Sequence, residues 1–130
     1  MPFVSTRQFR LWDYSVSHNQ MLLRSPRSPE VPTNIDVVFW GVQYLEMPTM
    51  LDGIEMGEAT SDESEAMERF AGKNFKTSDV HWIVSRHERF LVVASGFKVL
   101  ENDLDIFDSS LEYFAGTDSN RNLGKVLSHS

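Results

Sequence analysis

The stretch VHWIVSRHERFLVVASGFKVLEND, residues 80–103, decides the fold class of this chain of 130 residues. Its first run, VHWIVS, places large side chains alternately on the two faces of a strand, the four polar residues RHER follow, and FLVVAS returns as a second apolar run. Alternation with a period of two is typical of strands, and a short polar interruption is typical of a hairpin turn. The stretch therefore predicts antiparallel strands joined by a turn at residues 86–89.

Three further segments favour strands. Residues 9–25 contain two apolar runs around the polar group SHNQ, residues 35–40 read IDVVFW, and residues 54–59 are a weaker candidate for an edge strand. The segment 35–40 is β-branched or aromatic on both alternating faces, so we expect it to be buried and central in the sheet. The proline-rich segment 26–32 predicts a loop, because proline lacks a backbone donor and keeps its neighbours extended.

Two segments have the spacing of helices. In TSDESEAMERFAG, residues 60–72, Thr60 and Glu63 have the spacing of a capping box and Gly72 lies at the C-cap position. In ENDLDIFDSSLEYF, residues 101–114, apolar side chains recur at intervals of three, four and three, which is the spacing of one helix face. We therefore predict helices near 61–71 and 103–114.

The strands follow one another in hairpins instead of alternating with helices, which favours an antiparallel sheet. We predict an α+β fold, a single antiparallel, strongly twisted or rolled β-sheet of five to seven strands with two short helices packed on it. The inner face is expected to hold Trp40, Trp82, Phe90 and Val92, and the second helix is expected to cover the sheet with Leu104, Phe107 and Leu111. The length fits one domain, residues 1–130, whose tail 116–130 we expect to be partly flexible.

The composition excludes several classes of function. Twelve Lys and Arg against 19 Asp and Glu give a net charge of −7, which disfavours binding to nucleic acid. The chain contains no cysteine, so we expect no disulfide, no thiol nucleophile and no Cys-ligated zinc. Neither a signal-peptide pattern nor an apolar stretch of about 20 residues is present, so we predict no membrane association and a cytoplasmic location.

The acidic segment 101–114 does not fit a metal site. In a calcium loop that starts at Asp103, the required glycine would be Asp108 and the bidentate glutamate would be Phe114. A catalytic pair of Asp105 with Asp108 or Glu112 is possible on a helix, although the same spacing is common on solvated helix faces. The known catalytic and phosphate-binding signatures are also missing, so we predict no metal and no cofactor.

The RHER sequence is the strongest candidate for a binding site. It groups Arg86, His87, Glu88 and Arg89 at one hairpin tip, and a loop held by a rigid hairpin suits recognition. Arg86 or Arg89 is expected to contact an anionic group of a partner. A solvated turn between two apolar strands explains the same residues without any function.

Two classes of function follow from these patterns. The first is a small acidic cytosolic domain for binding or protein interaction, without catalytic activity, that associates with a protein partner or with itself. The alternative is a small-molecule-binding protein or an enzyme with a pocket in the rolled sheet, lined by His18, His81 or Asp105.

Overall fold

The computed structural model of the chain describes residues 3–58, 60–71, 75–111 and 123–130. Their main element is one antiparallel sheet. Its strands are β1 (Val4–Ser15), β2 (Gln20–Ser25), β3 (Asn34–Trp40), β4 (Tyr44–Glu46), β5 (Met50–Glu58), β6 (Val80–Ser85), β7 (Glu88–Val93), β8 (Gly96–Asn102) and β9 (Lys125–His129). The helix α1 (Ser61–Ala71) and a short 3-10 helix (Thr77–Asp79) connect β5 to β6.

The predicted α+β class with five to seven strands is wrong. Nine strands lie in the order β4-β7-β6-β5-β1-β2-β3-β8-β9, and α1 is the one α-helix of the described residues. The segment that became β3 was expected at the centre of the sheet, but it lies seventh and β1 takes the middle place. The antiparallel arrangement is confirmed, and so are the hairpins at residues 9–25 and 80–93.

The predicted helix at 61–71 is present, and its capping box is formed. The amide of Thr60 donates to Glu63 Oε1 at 3.0 Å, and the amide of Glu63 donates to Thr60 Oγ1 at 3.2 Å. These reciprocal bonds satisfy amides that have no partner inside the helix. The predicted C-cap, Gly72, lies outside the described residues.

The predicted second helix is absent from residues 103–111, and the remainder of its predicted range lies outside the described residues. The amide of Phe107 donates to Asp105 Oδ1 at 3.0 Å, and the amide of Leu111 donates to Ser109 Oγ at 3.1 Å. Short polar side chains therefore bind amides that a helix would pair with carbonyls four residues earlier. Leu111 is buried as predicted, whereas Phe107 is exposed.

The sheet is rolled, as two short connections show. Strands β3 and β4 lie six positions apart in the sheet, and so do β7 and β8. A flat sheet with about 4.8 Å between strands would separate each pair by about 29 Å. The three residues that link β3 to β4 span at most about 14 Å. The sheet must therefore curl until its two halves face each other.

The roll encloses the main hydrophobic core. Side chains from both halves of the sheet pack there: Phe9, Met21, Leu23, Val37, Phe39, Val42, Leu51, Ile54, Met56, Ile83, Val92, Ala94, Phe97 and Val99. Val92 is buried inside as predicted, and Phe90 packs against this core while partly exposed.

The two tryptophans predicted for the inner face do not lie there. Trp82 packs in a separate cluster with Phe75 and Val80, and Trp40 is 38% exposed. The cross-strand partner of each tryptophan is a glycine, Gly57 for Trp82 and Gly96 for Trp40. Each indole ring lies over its glycine, in the space that a Cβ would occupy. The predicted period of two is correct for these strands, but the predicted sheet face of both tryptophans is wrong.

Candidate functional site

The RHER sequence forms a two-residue hairpin turn. Ser85 pairs with Glu88 across the hairpin, and Arg86 and His87 between them have φ values of 50° and 67°. A tight turn with positive φ at both central residues matches the right-handed twist of a hairpin, and Asn-Gly is the sequence that favours it. Glu88 and Arg89 already belong to β7, so the structure brings the four predicted residues together at one tip.

Both arginines of this tip already bind carboxylates. Arg86 forms an ion pair with Asp52 of β5, and its Nε donates to Asp52 Oδ2 at 3.0 Å. Arg89 forms an ion pair with Glu63 of α1, and its Cζ lies 5.0 Å from the centroid of the Trp82 ring. In the described part of the chain, Glu88 has no ion-pair partner. Glu88 is therefore the carboxylate of the tip that no described cation neutralises.

A cleft of about 220 Å³ opens beside the turn. The apolar part of its lining comes from Pro48, Met50, Leu51 and Phe90. The polar part comes from Gln8, Asp52, Ser85, Arg86 and Glu88. Apolar and polar side chains contribute about equally to the lining, so the cleft offers both apolar contact and polar groups to a partner.

Asp52 is held in place from the β6 side. Its amide donates to Ser85 Oγ at 3.1 Å, and the same hydroxyl donates to the Asp52 carbonyl at 3.3 Å. The next residue, Gly53, has a φ of 74°, which a residue with a Cβ rarely adopts. Asp52 in turn holds Arg86, so the wall of the cleft is built on paired strands and not on a free loop.

The other predicted pocket residues lie in three separate parts of the fold. His18 is exposed in the β1–β2 turn, with Nδ1 2.9 Å from Ser17 Oγ. His81 is buried in the roll, with its ring edge-on to Phe97 at 5.3 Å between centroids. Asp105 is exposed in the turn after β8. None of these three side chains lines the cleft beside the RHER turn.

A buried ion pair on the outer face of the sheet was missed from the sequence. Arg24 and Asp36 pair across β2 and β3, both side chains are fully buried, and Arg24 Nε donates to Asp36 Oδ1 at 2.7 Å. Asn102 Nδ2 donates to Asp36 Oδ2 at 3.0 Å, and Asn34 Nδ2 donates to Asn102 Oδ1 at 2.9 Å. Opposite charges inside the two apolar runs MLLRS and IDVVFW were the signal for this pair, because buried charges are paired.

The same arginine binds the segment that follows β8. Arg24 Nη1 donates to the Asp108 carbonyl at 2.7 Å, and its Cζ lies 5.5 Å from the Trp12 ring centroid. Leu111 packs nearby with Leu22, Val38 and Leu100. Residues 104–111 of the segment predicted as a helix therefore cover the outer face of β2, β3 and β8 as an irregular chain.

Within the described ranges, no group of three or more His, Asp or Glu side chains could hold a metal ion. Asp105 and Asp108 are both exposed there, and the third acid proposed with them, Glu112, lies outside the described residues. No helix in that part of the chain is long and apolar enough to cross a membrane. Comparisons with protein-family models, with curated proteins and with solved structures found no match.

Proposed function

We propose that this chain is an acidic protein-interaction domain without catalytic activity, and that it binds a basic protein at the cleft beside the RHER turn. The observation that carries this proposal is the lining of the cleft, where apolar side chains lie beside the carboxylate of Glu88, which forms no ion pair with the described residues. The aliphatic stem of a lysine or arginine fits the apolar part, and its cation fits the carboxylate. The cytoplasm remains the predicted compartment.

The charge arrangement favours a cation over an anion at this cleft. An anionic group that approaches Arg86 or Arg89 meets a guanidinium whose charge Asp52 or Glu63 already partly neutralises. A cation meets Glu88 without breaking an ion pair of the described residues. The net charge of −7 attracts a basic partner over a longer range and raises its association rate. The expectation from the sequence that Arg86 or Arg89 contacts an anion is untested, and the titration below decides between it and a cation at Glu88.

The alternative of a small-molecule site inside the rolled sheet has less support. Apolar side chains from both halves of the sheet pack against one another there, and many of them are fully buried. His81 lies among Phe39 and Phe97 in this interior. A buried histidine between aromatic rings is explained by packing alone.

A titration followed by amide chemical shifts tests the proposed site. The probes are N-acetyl-arginine amide and N-acetyl-glutamate amide, which represent one side chain of a basic or an acidic partner. We expect the arginine probe to shift the amides of Asp52, Arg86 and Glu88 with a Kd of about 1 mM or weaker, because one side chain supplies little binding energy. The glutamate probe should leave these amides unchanged.

Matched charge variants complete this test. Glu88→Gln should abolish the response to the arginine probe, whereas Glu30→Gln, which removes a carboxylate from the exposed loop between β2 and β3, should preserve it. A response to the glutamate probe at the same amides, or an arginine response that survives Glu88→Gln, would refute the proposed site.

A further inference from the structure

The turn from Asp105 to Asp108 exposes two large apolar side chains side by side. Its closing hydrogen bond runs from the amide of Asp108 to the carbonyl of Asp105 at 2.9 Å, and Ile106 and Phe107 occupy the central positions. Ile106 is 58% exposed and Phe107 is 94% exposed. Both residue types are usually buried, so the pair exposes apolar surface that the described part of the chain leaves uncovered.

The turn is held from both sides by buried side chains. Before it, the carbonyl of Leu104 accepts a hydrogen bond from Asn34 Nδ2 at 2.9 Å. After it, the carbonyl of Asp108 accepts one from Arg24 Nη1 at 2.7 Å, and Arg24 is fully buried. Inside it, Asp105 Oδ1 accepts from the Phe107 amide at 3.0 Å. A segment that is already ordered loses little conformational entropy when it binds.

The charged residues next to the two apolar side chains in the sequence are acidic. Asp103, Asp105 and Asp108 are exposed, and no lysine or arginine occurs between residues 99 and 111. A complementary surface must therefore combine an apolar depression with lysine or arginine around it. A second copy of this chain would bring the same carboxylates to the contact, where like charges repel each other.

We infer that the Ile106–Phe107 turn is a docking element that inserts into an apolar pocket rimmed by basic side chains on another protein. This surface is distinct from the cleft beside the RHER turn: it follows β8 and is anchored to β2 and β3, whereas the cleft is lined from β1, β5, β6 and β7 and the segment before β5. The inference therefore stands independently of the proposed function of the cleft.

Selection from a phage-displayed library of random cyclic 12-residue peptides on the immobilised full chain tests this surface. We expect the enriched peptides to combine lysine or arginine with apolar residues and to bind more weakly as salt is added. In calorimetric titrations, Ile106→Ser combined with Phe107→Ser should weaken an enriched peptide by about tenfold or more, because apolar anchors dominate such contacts.

Three variants distinguish the effect of charge on peptide binding from the effects of apolar exposure elsewhere and of lost stability. Asp105→Asn with Asp108→Asn removes two charges, keeps an oxygen acceptor for the Phe107 amide, and should weaken binding severalfold. Val16→Ser changes another apolar side chain, 81% exposed in the β1–β2 turn, and should leave binding unchanged. The Ile106/Phe107 variant should melt at the wild-type temperature, so that its loss of binding is not a loss of fold.

Four results would overturn the inference. The first is a selection that enriches no peptide, and the second is a set of enriched peptides that bind the Ile106→Ser/Phe107→Ser variant as tightly as the wild type. The third is a set of enriched peptides that lack basic residues and whose binding does not depend on salt. The fourth is a wild-type dimer in sedimentation experiments that the Phe107→Ser substitution dissociates. The last result would assign the surface to a second copy of the chain.

Discussion

Phe107 and Leu111 stand four residues apart in the sequence, and the structure gives them opposite environments. Phe107 is almost fully exposed, whereas Leu111 is 1% exposed against Leu22, Val38 and Leu100. We expect Phe107→Ala to change the free energy of unfolding by less than about 0.5 kcal/mol. Leu111→Ala should lower it by about 2 to 5 kcal/mol, because it removes buried methyl groups and leaves a cavity. Urea denaturation of the two variants measures both values.

The same pair of variants decides between the turn and the helix that the sequence predicted. A helix with Leu104, Phe107 and Leu111 on its buried face requires a loss of about 3 to 5 kcal/mol for Phe107→Ala. Equal losses in the two variants would therefore contradict the exposed position of Phe107.

Arg24 and Asp36 form a buried ion pair whose two members depend on each other. We expect Arg24→Met to destabilise the fold by about 3 to 5 kcal/mol, because the Asp36 carboxylate would remain buried without its cation. The double variant Arg24→Met with Asp36→Leu should recover much of this loss, since it removes both charges. A double-mutant cycle measured by urea denaturation gives the coupling energy of the pair. If the double variant lost as much stability as the two single variants together, Arg24 and Asp36 would not act as a unit.

The β6–β7 hairpin shows a turn whose residues are not those that its backbone favours. Arg86 and His87 both have positive φ, which strains residues that carry a Cβ. Arg86→Asn combined with His87→Gly should therefore raise the free energy of unfolding by about 1 kcal/mol, even after the exposed ion pair to Asp52 is lost. Thermal and urea denaturation measure this change.

A second variant at the same turn isolates the backbone effect. His87→Ala removes the imidazole but keeps a Cβ at a φ of 67°, so it should not stabilise the hairpin. A loss of stability in the Asn-Gly variant would mean that Arg86 contributes more through Asp52 than the strained backbone costs.

The elements that the sequence predicted correctly are those with local signals. The β6–β7 hairpin and α1 depend on neighbours along the chain, namely an alternating pattern around a polar turn and a capping box. The segment 103–111 has helical spacing too, but Arg24, 84 residues before Asp108, binds the Asp108 carbonyl. Side chains of the segment also take up its own amides. Competing bonds of this kind are invisible to a periodicity analysis.

At the level of the whole molecule, the roll makes the protection of backbone amides uneven. Strands β1, β2 and β3 have a paired strand on each side, whereas β4 and β9 are the edges of the sheet. We expect the amides of Met21, Leu23 and Phe39 to exchange more slowly with deuterium than those of β9, because edge strands open without breaking the core. Hydrogen exchange followed by NMR measures this order. Equal protection of β9 and β2 would show that β9 is covered by another element or by a second chain.

The sequence by itself determined the antiparallel hairpins at residues 9–25 and 80–93, the RHER turn, the helix at 61–71 and the acidic character of the chain, because these depend on residues close together or on composition. Only the tertiary structure decided the sheet face of Trp40 and Trp82, the carboxylate partners of Arg86 and Arg89, and the buried pair of Arg24 with Asp36. It also decided the exposure of Phe107. These features depend on which strands the roll brings together, and residues distant in the sequence meet only after the sheet has curled.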